Sequence, residues 1–93
     1  MAARTLTLEI VTPQGVTIQE QDIDSVVVRR RELNPLGSEL QVLPRHAPLL
    51  VRVAPCALRY VRQGQKRHIN IDGGFMEVKN DHVTLVTTGA LRT

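Results

Sequence analysis

Four side chains could ligate a soft metal ion: His46, His68, His82 and Cys56. Their spacings match none of the paired-cysteine and His/Cys patterns of tetrahedral zinc sites, so no metal or cofactor is expected. Nucleophilic catalysis fares no better. The serines are Ser25 and Ser38, and neither stands in a GxSxG turn. Asp22 and Asp24 lie on one face of an extended segment beside a turn, where carboxylates face solvent. Gly73-Gly74 is an isolated pair with no GxxxxGK[ST] around it, and it suits a bend or bulge in a strand. No set of residues assembles a reaction, so the chain is expected not to be an enzyme and to take no small-molecule substrate.

Charge is distributed unevenly. The 93 residues carry a formal net charge of +3, yet residues 40–71 hold six basic side chains and no acidic one. These are Arg45, Arg52, Arg59, Arg62, Lys66 and Arg67. Such a block favours an anionic partner, whether phosphate, lipid headgroup or acidic protein face. Spaced singly along strands, the same arginines could equally be a solvated surface. Small basic β-barrels that bind single-stranded nucleic acid stack bases on aromatic rings. Tyr60 and Phe75 are the sole aromatics here, so nucleic acid is not the expected partner.

The elements that must position these side chains read as strands. Periodicity is two almost throughout, as in Leu6, Leu8 and Ile10 alternating with Thr5, Thr7 and Glu9. Twelve valines, five isoleucines and eight threonines suit a pleated surface. Strands are expected at Thr5–Val11, Val16–Ile18, Ile23–Val28, Leu40–Leu43, Leu49–Val53, Ala57–Val61, Lys66–Ile71, Phe75–Lys79 and Val83–Thr87. Turns fall at Thr12-Pro13-Gln14-Gly15, Gln63-Gly64-Gln65 and Asn80-Asp81. Arg29–Ser38 reads as a loop, and Pro44 and Pro48 stiffen a connection. Leu43, Leu49 and Leu50 are expected in the core. The sum is an all-β sandwich or small barrel of about nine short antiparallel strands in one domain spanning 1–93. No apolar run approaches the ~20 residues of a membrane helix, and the N-terminus has no signal-peptide pattern. A single cysteine fits a reducing compartment.

Two segments carry more. Leu40–Leu50 reads LQVLPRHAPLL and Gly73–Val78 reads GGFMEV. With Leu6–Gly15 (LTLEIVTPQG) and Asp24–Val28 (DSVVV), they resemble the N-terminal β-sandwich domain of the epsilon subunit of F-type ATP synthases. That family reads close to LGVLPGHAPLL and SGGFxEV at the same separation, and the likeness runs along essentially the whole chain.

The resemblance implies a flattened β-sandwich of ten strands without an active site. Such a domain sits at the foot of the central stalk as a rotor component, peripheral to the membrane on the cytoplasmic face of the bacterial inner membrane or its organellar equivalent. Its partners are the gamma subunit and the c-subunit ring, and its role is to couple proton- or sodium-driven rotation to ATP synthesis. Carried over by position, the ring side comprises Ser38, Glu39 and His46, and the gamma side Thr12 and Val51. His46, between two prolines, could also serve to satisfy backbone carbonyls. Three departures stand out. The helical hairpin that follows the sandwich in many members is absent, so neither ATP binding nor hairpin-type inhibition is expected. Gln41 and Arg45 replace the usual glycines, and a positive φ at either would be strained. The loop before the motif is longer, and its Arg29, Arg30 and Arg31 are expected to meet acidic ring loops or anionic headgroups. A free-standing basic β-sandwich that binds an acidic protein or nucleic acid is the alternative.

Overall fold

The computed structural model describes residues 4–31 and 38–92. Nine strands are seen among them: β1 (Leu6–Thr12), β2 (Gly15–Arg29), β3 (Glu39–Val42), β4 (Leu49–Val53), β5 (Cys56–Arg62), β6 (Gln65–Ile71), β7 (Gly74–Lys79), β8 (His82–Val86) and β9 (Ala90–Arg92). They form one open sheet in the order β4-β7-β8-β1-β2-β5-β6-β9, with β3 also on β2. That path runs from β4 to β9, and the end of β2 meets the other edge of β4 at an Arg30↔Val53 bridge.

β2 is the hinge of the architecture. Its first half pairs with β1 and its second half with β5 and β3. Two strands expected at 16–18 and 23–28 are therefore one strand, interrupted where Asp22 takes φ 59°. The register with β1 shifts over the same stretch, from Leu8↔Glu20 to Leu6↔Ile23. Such a bulge bends and twists a strand, so β2 contributes to two halves. Counted once in each half, β2 gives ten strands. The first half holds β4, β7, β8, β1 and the start of β2. The second holds the end of β2 with β3, β5, β6 and β9.

Every pairing is antiparallel except β1 with β8, which runs parallel. Parallel neighbours need a long crossover, and here nearly the whole chain lies between them. The strand missed by periodicity is β9, three residues long and preceded by Gly89. Alternation then sorts the side chains. Leu6, Leu8 and Ile10 from β1, Met76 and Val78 from β7, and Leu58 and Tyr60 from β5 lie in one apolar cluster shared by both halves. Gly73 and Gly74 join β6 to β7 at φ +90° and +133°. A Cβ on Gly73 would stand 2.8 Å from the Val53 carbonyl oxygen, and one on Gly74 would collide with that of Val86. The pair is required by left-handed backbone and close strand approach together.

Candidate functional site

On the first half, side chains that leave the core form rows across strands. Val16, Val11, Val86, Phe75 and Arg52 are register partners from β2 through β1, β8 and β7 to β4. Phe75 and Val86 are each 52% exposed and Val16 57%. The Arg52 guanidinium lies 5.9 Å from the centroid of the Phe75 ring, a cation–π contact that closes the row. Beside it runs a groove of about 440 Å³ lined by Thr12, Pro13, Gly74, Phe75 and Val86 among others. The next outward row is polar, with Glu77, Thr84, Glu9 and Gln19, and begins at Leu50. The apolar row is thus a defined stripe rather than a wholly greasy face.

Thr12 lies in the groove. It is buried, and its hydroxyl is 2.7 Å from that of Thr17 and donates to Gln14 Oε1 at 3.0 Å. Val51 behaves differently. Its register partner is Met76, which is fully buried, and Val51 packs half-buried on the core. The side chain at position 51 therefore turns inward, and the outward positions of β4 are Leu50 and Arg52. Leu49 packs on the core as expected, whereas Leu50 is 70% and Leu43 49% exposed, so those two correct the expectation. Strand phase explains Leu50, which shares the outward phase of Arg52.

The residues expected on the ring side divide into two places. Arg29 pairs with Glu39 across β2 and β3, and the Arg30 amide donates to the Ser38 carbonyl at 2.8 Å. Arg30 also bridges to Val53, and the Arg31 amide donates to the Arg52 carbonyl at 2.9 Å. The expected loop from Arg29 thus begins as ordered backbone against β4, because unpaired amides at the end of β2 find carbonyls there. Its residues 32–37 lie outside the described residues. Glu39 is paired with Arg59 at 2.8 Å, an exposed contact.

His46 stands three residues before β4, whereas Arg30 and Arg31 meet that strand's last residues. The two places are separated by the length of β4, about 13 Å at strand rise. The His46 amide donates to the Leu43 carbonyl at 3.1 Å, and its Nδ1 is 2.7 Å from the Ala47 carbonyl oxygen. The imidazole does satisfy local backbone, as its setting between prolines suggests. Arg45 takes φ 68°, the strained left-handed conformation considered for a residue replacing glycine, while Gln41 does not and lies within β3.

Asp81 holds Arg45 in place, and no sequence signal marked it. Its Oδ1 accepts from the Arg45 amide at 2.7 Å. Its Oδ2 meets the Arg4 guanidinium at 2.6 Å, and its carbonyl accepts from the Thr7 amide. The Arg45 amide first, and the Arg4 guanidinium after it, hold the Asp81 carboxyl below the usual aspartate range. One carboxylate thereby ties the chain start, the β7–β8 turn and the His46 loop. The outward stripe did have a signal: Phe75 shares the phase of Glu77 and Lys79, opposite to Met76 and Val78. Among the described residues no three His, Cys, Asp or Glu side chains stand close enough to hold a metal.

Comparison with known proteins shows the family. Residues 5–93 match the family described as ATP synthase, Delta/Epsilon chain, beta-sandwich domain. The chain belongs to the ATP synthase delta/epsilon β-sandwich family. Among its relatives, the ATP synthase epsilon chain of Solibacter usitatus is 40% identical over 88 residues, covering 95% of this chain and 61% of that protein. The ATP synthase epsilon chain of Bacillus subtilis is 34% identical over 87 residues, covering 94% and 61%. The chain thus spans about three-fifths of the length of these relatives. In fold it is similar to a chain in the cryo-EM structure of the Euglena gracilis mitochondrial ATP synthase OSCP/F1/c-ring, with TM-score 0.81 and 22% identity, covering 95% of this chain and 53% of that one. It is also similar to one in the Tetrahymena thermophila mitochondrial ATP synthase central stalk/c-ring, at TM-score 0.73 and 11% identity, covering 98% and 69%.

Proposed function

We propose that this chain is a non-catalytic rotor subunit of an F-type ATP synthase, a single sandwich domain in the central stalk that couples c-ring rotation to ATP synthesis. The observation that carries this reading is the apolar stripe on the outward face of the family's sandwich, from Val16 to Phe75 and capped by Arg52. A row of exposed branched and aromatic side chains gains most from being dried against a partner. We assign the stripe and the Thr12 groove to the gamma subunit. Val51 supports that contact from behind, by packing β4 onto the core.

The ring side is polar. Arg29, Arg30, Arg31, Ser38 and Glu39 form one patch, suited to acidic ring loops or headgroups, and His46 makes a separate contact beyond the other end of β4. In this reading the subunit is peripheral to the membrane through its complex, on the cytoplasmic face in a bacterium. The test is co-purification of the tagged chain with gamma and the c-ring from membranes. Recovery of both supports the assignment. Recovery of neither, with the chain folded, would contradict it and favour a free-standing binding module.

A further inference from the structure

The second half carries a basic notch to which the proposed stalk contacts assign no role. β9 pairs with residues 69–71 of β6, Arg92 lying opposite Ile69. Beside this pairing is a notch of about 500 Å³ lined by Tyr60, Gln65, Lys66, Arg67, His68 and Arg92. None of these lining residues is acidic. Glu20, on the first half, reaches over to Arg92 at 2.7 Å and to Arg62 at 3.6 Å. Arg62, Arg67 and Arg92 therefore stand around one carboxylate, an excess of two positive charges.

The groups are also arranged to bind. Arg92 is fixed twice, by Glu20 and by a bond from its Nη1 to the Tyr60 hydroxyl at 3.3 Å. The Tyr60 ring is buried, and its hydroxyl, having accepted from Arg92, keeps a proton to donate. The Arg62 Nε is buried with no hydrogen-bond partner among the described residues. Its guanidinium is held by the 3.6 Å contact to Glu20, too long for a good hydrogen bond. A buried donor left unsatisfied favours any arrangement that brings it an acceptor.

We infer that this notch is a binding site for a phosphate-type oxyanion, read by the Arg67 and Arg92 forks and the Tyr60 hydroxyl. Guanidinium groups match phosphate oxygens in pairs, and a charge excess of two favours a multiply charged group over chloride. The Tyr60 ring offers no open face on which a base could stack, so the phosphate is what is recognised. The inference is independent of the stalk assignment. The ligand is either a free phosphate compound or a phospholipid headgroup, and two probes separate these.

The experiment titrates pyrophosphate into the 15N-labelled chain at low salt, against sulfate and chloride at matched ionic strength. In parallel, the chain is sedimented with phosphatidylglycerol-containing vesicles and with neutral phosphatidylcholine vesicles. The expected result is saturable shifts at Lys66, Arg67, His68 and Arg92. Affinity should fall about tenfold or more in Lys66→Ala/Arg67→Ala, whose exposed hairpin positions leave the fold intact. Arg92→Lys, which keeps the charge and loses the fork, should fall between the two. Pyrophosphate binding without vesicle binding assigns a free phosphate compound; vesicle binding lost in the double variant assigns the headgroup. Non-saturating shifts, together with vesicle binding absent or unchanged in the double variant, overturn the inference.

Discussion

Where the strands of the first half turn away from the core they present Val16, Val86 and Phe75; where those of the second half do so they present Arg59, Lys66 and His68. Both faces arise from the same period of two, and both cover the same core. The difference lies in what occupies the outward phase. On β7 and β8 an apolar residue stands at the outward position nearest Gly74, with polar residues after it. On β5 and β6 the outward positions include Arg59, Lys66, His68 and Asn70, and only Ala57 and Val61 are apolar. One sandwich thus offers a dry surface and a charged one, and a partner is selected by chemistry rather than by shape of the fold. The narrow apolar stripe suits a permanent neighbour that excludes water. The charged side suits contacts that salt can weaken.

The sharpest way to break the comparison is at the joint that sets the dry face. Gly74→Ala places a Cβ against the Val86 carbonyl at φ +133°. We expect a loss of more than about 3 kcal/mol in chemical denaturation, with the stripe disrupted as β7 and β8 separate. A well-folded variant of unchanged midpoint would contradict the geometry. Smaller effects sharpen the picture at the His46 loop. Arg45→Gly should stabilise by about 0.5–1 kcal/mol, because φ 68° costs glycine nothing. Asp81→Ala should speed amide exchange through residues 44–48, because the Arg45 amide loses its acceptor. Unchanged exchange at the Arg45 amide would show that Asp81 does not hold it.

The charged side makes a prediction in pH. The hydrogen bond from Arg92, with the charges of Arg92, Arg62 and Arg67, holds the Glu20 carboxyl below the ordinary glutamate range. A carboxylate whose folded value is depressed adds stability above its unfolded value, and that stability is lost as pH falls through the folded one. Its exposed partners limit the contribution to under about 1 kcal/mol. Glu20→Gln should therefore be slightly less stable than the parent at pH 7, and the gap should close as pH drops below about 4. A gap that widens on acidification would reverse the assignment. Arg52→Ala should be the mildest change, within about 0.5 kcal/mol in stability, since it removes a surface cation–π contact and little burial.

Much of this architecture was legible because alternation reports facing directly. Leu6, Leu8 and Ile10 read as buried and are buried. What was not legible depends on backbone geometry or on distant pairing. The break at Asp22, a residue type that tolerates left-handed backbone, read as a turn rather than a bulge, so β2 read as two strands. β9 is too short for periodicity to register, and the parallel union of β1 with β8 joins chain ends that no local pattern connects. At the candidate site the motif located His46 and the glycine pair, but position alone did not show that Val51, in phase with Met76, turns toward the core. Asp81 was hidden for the same reason as the parallel pairing: its partners, Arg4 and Arg45, are remote in sequence.

The central claim is that the apolar stripe seats the gamma subunit. Its most direct test is binding of the purified chain to isolated gamma, comparing the parent with Phe75→Ala/Val86→Ala. Both side chains are exposed, so the fold should survive, which circular dichroism and the denaturation midpoint would verify. The account predicts a loss of at least about 2 kcal/mol of affinity, some thirtyfold in Kd, at unchanged stability. Undiminished binding by the folded double variant would contradict it.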